Sequence, residues 1–170
     1  MNGREYQNAA RQYALFPLNN SGWDYLLSAL PEELGELWEV IDTDDTKAIL
    51  SEAGDITWNL ALMSHLLGSE LGSETPDGHL CSDPVVAVGK LSGIFAKTAR
   101  KGHGRSLTSE QREEVISWIA SLLCYIDTLA YQCKSSLSAV FNYNINKLEE
   151  RRRTNTIEGS GETVEERRAN

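Results

Sequence analysis

Positive charge is scarce in this chain. Sixteen Lys and Arg stand against 25 Asp and Glu, for a formal net charge of −9. A protein that coats a nucleic-acid polymer needs a basic stripe, so that class of partner is not expected. A small polyphosphate is not excluded, because a bound cation reverses the sign locally. Long apolar runs are missing as well, and no stretch approaches the ~20 apolar residues of a membrane span. The first residues lack a signal-peptide core. Membrane insertion and secretion are therefore not expected, and the reading is a cytoplasmic protein. Cysteine is sparse and odd in number: Cys81, Cys124 and Cys133 have no metal-ligand spacing. That argues against a disulfide framework and a zinc site, and for reduced packing thiols. His65, His79 and His103 show no spacing for a metal or a triad. GxSxG, P-loop and GxGxxG patterns are absent, which removes support for those mechanisms.

What is present is helical periodicity. A length of 170 residues with 41% hydrophobic content fits one all-α domain over 1–170 with a real core. Residues 4–15 predict a short N-terminal helix, and 17–21 a connector rich in Asn and Pro. A first long helix is expected from Ser21 or Gly22 to about Ile41, with Pro31 predicting a break or kink. A second runs from Thr46 to Leu67, closed by Gly68. Residues 68–84 read as a surface loop. A further helix pair spans Val85–Lys101 and then Thr108 or Ser109 to about Cys133, and a last helix covers about 136–152. The tail, 153–170, is polar and charged and reads as irregular. The expected fold is a four-helix bundle of two antiparallel helix pairs with flanking N- and C-terminal helices.

Within the first pair, two acidic pairs share one spacing: Glu33 with Glu36, and Glu52 with Asp55. Positions three apart lie on one helix face, and a short link at 42–46 makes the helices antiparallel neighbours. Four carboxylates would then converge in a small volume and repel unless cations compensate them. Lys47 is the only basic residue between Glu32 and Asp55, so the segment supplies little neutralisation itself. Oxygen-only ligands favour Mg²⁺ or Mn²⁺. The competing reading is a solvated acidic face. Against it, Leu34, Leu37, Trp38 and Ile41 flank the first pair, and Ala53, Ile56 and Leu60 the second, which places the acids beside an apolar seam.

Glu32-Glu33-Leu34-Gly35-Glu36, followed after fifteen residues by Glu52-Ala53-Gly54-Asp55, resembles the EExxE…ExxD signature of MazG-like nucleotide pyrophosphohydrolases. These are members of the all-α NTP pyrophosphatase superfamily, related to dimeric dUTPases. Tyr6-Gln7 with Ala9, Ala10 and Arg11 is similar to the opening helix of many members. Asn144-Ile145-Asn146-Lys147-Leu148, Arg151 and Gly159-Ser160-Gly161-Glu162 resemble their N-x-x-K-L…R…G-S-G-D ending. The resemblance implies a Mg²⁺-dependent hydrolase of nucleoside triphosphates that releases pyrophosphate, with Glu33, Glu36, Glu52 and Asp55 as metal-binding and catalytic residues. It also implies that Lys147 lies near substrate phosphates and Asn144 near the metal or nucleoside; Arg151, on the same helix, is a further candidate cation for the triphosphate.

Trp58 and Asn59 follow the second acidic pair, and a ring there suits base stacking as well as it suits core packing. Core packing is the expected fate of Trp38. Lys97, Arg100, Lys101 and Arg105 are candidate cations for the charge of a triphosphate, with service at helix ends and in solvent the favoured role. The second pair, 85–131, reads as a copy of the first whose acids are gone. Ala87 and Lys90 stand where Glu33 and Glu36 would, and Trp118 and Ser121 where Glu52 and Asp55 would. The chain is then a monomeric pseudo-dimer; otherwise these helices are an unrelated extension and a homodimer is expected. An inactive regulatory bundle that binds nucleotide or protein is the alternative to an enzyme. The base, whether of dUTP, dCTP, a modified nucleotide or an alarmone, is not assigned by any residue pattern.

Overall fold

A computed structural model describes residues 1–19, 21–73 and 83–156. His79, Cys81, the Gly159–Glu162 ending and most of the polar tail lie outside the described residues. Within them the fold is all-α: α1 (Gly3–Ala10), a single 3₁₀ turn (Arg11–Tyr13), α2 (Gly22–Val40), α3 (Thr46–Leu67), α4 (Pro84–Arg100), α5 (Ser109–Gln132) and α6 (Leu137–Arg153).

Local chemistry sets the boundaries. The Asp45 side chain accepts from the Ala48 amide at 3.0 Å and starts α3, and Gly68, at φ 63°, ends it in the left-handed region. Asp83 caps α4, whose first residue is Pro84. Thr108 and Gln111 form a reciprocal capping box at the start of α5. Ser136 caps α6.

Helices α2–α5 form the expected bundle: α2 packs on α3 and α4, and α5 packs on α3 and α4. The first turn of α2 meets the last turn of α3, where Gly22 approaches Leu66. At the other end Glu36 meets Glu52, so α2 and α3 are antiparallel. Trp23 at the start of α2 packs its ring, tilted by 36°, 4.5 Å from that of Phe95 near the end of α4, which makes that pair antiparallel too. Arg112 near the start of α5 donates to the Leu67 carbonyl at the end of α3. Two flanking helices, α1 and α6, close over α3, which therefore touches α1, α2, α5 and α6. Its buried set is correspondingly long, from Ile49 to Leu67, and includes Leu60, Ala61, Leu62 and Met63 on several sides.

Three expectations need correction. α2 runs unbroken through Pro31, which lies exposed on its outer side. One lost hydrogen bond in a helix whose opposite face is buried does not end it. Trp38 is 44% exposed rather than buried, with its ring 6.3 Å from that of Tyr125. By length and composition α5 could cross a membrane, contrary to the reading of the apolar runs. In the bundle it is a core helix, with Val115 and Ile126 fully buried and Asp127 and Thr128 exposed.

Candidate metal and substrate site

Leu34 and Leu37 on α2, and Ala53 and Ile56 on α3, are buried in the seam between the two helices. That anchoring turns the residues beside them inward at its edge. Glu33, Glu36 and Glu52 each bring one carboxylate oxygen within 4.8 Å of the others. Glu52 is buried, and the two α2 glutamates are half-buried. Burial first, then the negative charges of Asp55 and Glu36, push the Glu33 carboxyl up to about 8, with Lys147 opposing the rise. A carboxyl held that far from its ordinary range marks a place short of positive charge. Three carboxylate oxygens that close form an all-oxygen donor set able to coordinate a divalent cation, so these residues fit such an ion.

Asp55 does not join this group, although four carboxylates were expected to converge. It is held instead from α6. Lys147 forms an ion pair with Asp55 and donates to Ser51 Oγ at 3.1 Å. Asn144 Nδ2 donates to Asp55 Oδ1 at 3.0 Å. The Lys147 and Asp55 side chains are each 17% exposed, so the pair is sheltered from solvent screening. Local neutralisation therefore comes from a lysine 92 residues further along, not from Lys47. Asn144 and Lys147 are three apart on α6 and so share a face. Gly54 admits that face: a Cβ at this position would lie 2.9 Å from Asn144 Cβ.

The remaining expected residues divide. Trp58 is half-buried, donates Nε1–H to the Ala10 carbonyl at 3.3 Å, and meets Phe16 and Tyr25 edge-on at 6.1 and 6.4 Å. Asn59 is wholly buried and donates to the Asp55 carbonyl of its own helix at 3.1 Å, so it presents no face to a substrate. Arg151 is half-buried, and among the described residues no hydrogen bond ties its guanidinium to the carboxylates. Arg105 pairs with Asp24 at the start of α2, while Lys97, Arg100 and Lys101 are exposed, in keeping with structural roles.

Four residues near the acids were not expected at the site from the sequence. Ser51 lies one turn before Asp55, so its i,i+4 spacing was a usable signal. Tyr25 lies close enough that burial, then Glu33, Glu32 and Asp55, raise its phenol. Thr57 is fully buried, an uncharged polar residue inside an apolar run. Tyr6 joins from α1, a link no short-range pattern carries. A separate concavity bounded by Leu18, Asn19, Ser21, Trp23, His65 and Leu66 lies at the opposite end of α2 and α3 and contains none of the carboxylates.

The fold and this site define an all-α bundle that carries a three-glutamate cluster across one helix pair. Residues 23–77 match the family model described as the MazG nucleotide pyrophosphohydrolase domain, which supports a MazG-like assignment for that segment. The match spans nearly all of α2 and all of α3, hence every acid of the site, and stops short of Asn144, Lys147 and Arg151 on α6. No curated protein and no solved structure matches the chain.

Proposed function

We propose that the chain is a Mg²⁺-dependent nucleoside triphosphate pyrophosphohydrolase, converting a (d)NTP and water into a (d)NMP and pyrophosphate. The observation that carries this reading is the Glu33–Glu36–Glu52 cluster within the segment that matches the MazG domain. Those three, with Asp55 as a fourth, would hold Mg²⁺ or Mn²⁺. When bound, such a cation offsets phosphate charge and lowers the pKa of a coordinated water. The chain's own groups do the rest. Lys147 can exchange Asp55 for a phosphate oxygen, and Asn144 keeps the Asp55 carboxylate oriented. Trp58 and the half-exposed ring of Tyr25 offer a wall for the base, with Arg151 further along α6 toward the phosphates. One glutamate carboxylate accepts the proton of the attacking water.

The test is a panel of nucleoside triphosphates incubated with Mg²⁺ and scored for pyrophosphate against phosphate. Pyrophosphate and monophosphate in equal amounts, lost with a chelator, are expected. Nucleotide binding without turnover on any member would favour the regulatory module instead. That second reading draws support from Asp55 already being neutralised by Lys147. The whole of 1–170 would act as one unit, either as a monomer in which α4 and α5 stand in for a partner's helices, or as a homodimer. Sedimentation at working concentration distinguishes them. The free thiols of Cys124 and Cys133 support a reducing, cytoplasmic setting.

A further inference from the structure

The acidic site reaches further than its own helices. Tyr6, on α1, is completely buried, and its ring lies stacked on Phe141 of α6 at 4.3 Å and 8°. Its hydroxyl has three neighbours: Asn144 Oδ1 at 2.7 Å, Thr57 Oγ1 at 3.2 Å and the Gly54 carbonyl at 3.4 Å. A phenol has one proton, and the shortest contact is to Asn144. Thr57 donates to the Gly54 carbonyl at 2.8 Å, so that acceptor is already served. Asn144 is itself wholly buried, and its amide has two chemically different ends. With Oδ1 held by the phenol, Nδ2 must face Asp55, where it donates at 3.0 Å. The reverse orientation would set an amide oxygen against the Asp55 carboxylate and leave the phenol proton to Thr57 Oγ1, at the longer 3.2 Å.

We propose that Tyr6 is a positioning residue of the acidic site, fixing the Asn144 amide and through it the carboxylate of Asp55. This rests on the reading of Asp55 as part of a cation site. The chain of contacts joins residues 138 and 89 positions apart, so three helices must dock before Asp55 is aimed. Hydrogen-bond partners of metal ligands typically contribute ~10–100-fold to metal affinity. Tyr6 acts one bond further out, so the lower end of that range applies.

Tyr6→Phe keeps the ring stack and removes only the hydroxyl, and Phe141→Leu perturbs the same stack with the hydroxyl intact. Mn²⁺ binding to the full chain is measured by calorimetry without nucleotide, alongside Mg²⁺-dependent pyrophosphate release and the thermal midpoint. Tyr6→Phe should weaken Mn²⁺ binding about tenfold, and part of its lost turnover should return at raised Mg²⁺. Phe141→Leu should keep Mn²⁺ affinity within about twofold while lowering the midpoint at least as far. Equal Mn²⁺ affinity in the wild type and Tyr6→Phe overturns the positioning role and leaves the cation site standing. Equal weakening by the two variants also overturns it, because packing alone would then explain the loss. A wild-type chain that binds no Mn²⁺ removes the cation site itself, and this role with it.

Discussion

Two helix pairs of similar length, α2–α3 and α4–α5, build the bundle, yet their interiors differ in kind. Where α2 presents Glu33 and Glu36, the aligned positions in α4 hold the buried Ala87 and the exposed Lys90. Where α3 presents Glu52, α5 holds the buried Trp118. The buried polar side chains follow the same division. Gln7, Glu52, Thr57, Asn59, Ser64 and Asn144 all belong to α1, α3 or α6, against Thr98 and Ser121 on α4 and α5. Thr98 is a local brace, donating to carbonyls of its own last turn and of the following link. Buried polarity costs stability unless it is satisfied. Its concentration around α3 therefore marks where the fold gives up apolar packing for polar contacts.

The sharpest way to break the comparison is to neutralise a charged residue at the matching position of each pair. Glu36→Gln, or Asp55→Asn, should lower pyrophosphate release by about a hundredfold or more with helicity by circular dichroism almost unchanged. Lys90→Gln, at the aligned position of α4, should leave turnover within about twofold. Retained turnover in both acid variants would remove the proposed site.

A steric contrast comes next. Gly54 has Asn144 Cβ 2.9 Å from where its own Cβ would be, while Gly93 in α4 has nothing within 4 Å. Gly93→Ala should stabilise by ~0.5–1 kcal/mol through helix propensity alone. Gly54→Ala meets an opposing clash of ~1–3 kcal/mol and should come out destabilised, with turnover reduced as α6 is pushed from α3. Urea unfolding of the two variants gives the signs directly, and a stabilised Gly54→Ala would contradict the close approach.

A third expectation concerns pH. The Glu33 carboxyl sits at about 8 in the fold against an ordinary 4.5. Between those values the folded chain holds a proton that the unfolded chain has lost. This contribution is therefore full below about pH 4.5 and disappears as pH climbs through about 8. In a chelator, the thermal midpoint should fall over that interval. Mg²⁺ should flatten the fall, and Glu33→Gln should remove its Glu33 component. A chelated wild type with the same profile as Glu33→Gln would show that the acids are not crowded.

The smallest effect is reserved for a surface pair. Arg105 and Asp24 tie the α4–α5 link to α2, with Asp24 64% exposed at its side chain. Asp24→Asn should cost ~0.5 kcal/mol at most, and less in high salt. Denaturation at two salt concentrations checks it.

Much of this organisation was legible in the chain. Thr46–Leu67, Gly68 and the Thr108 cap follow from periodicity and turn chemistry, which act over a few residues. The Glu33–Glu36 spacing and its apolar flank placed three acids at one seam for the same reason. Pro31 misled as to a break because the buried residues on either side of it, Leu30 and Leu34 among them, hold the helix together by packing, and that is a tertiary fact. Trp38 misled because the stripe that buries Leu34 and Leu37 is narrower than the apolar residues in it. Helical spacing set Asp55 beside Glu52 because it reports neighbours on one helix, and it is silent on what reaches that carboxylate from elsewhere. Its capture by Lys147 and Asn144 is a contact between distant helices. Even so, the three-residue step from Asn144 to Lys147 already placed both on one face, aimed at whatever packed against it.

That capture has a consequence for how the protein is born. A ribosome releases α2 and α3 long before α6, so the nascent chain carries the crowded acids for some 92 residues of synthesis without the lysine that balances Asp55. During that interval only protons or solution cations can quiet the repulsion, and the earliest native pairing of these two helices is a salt- and cation-sensitive event.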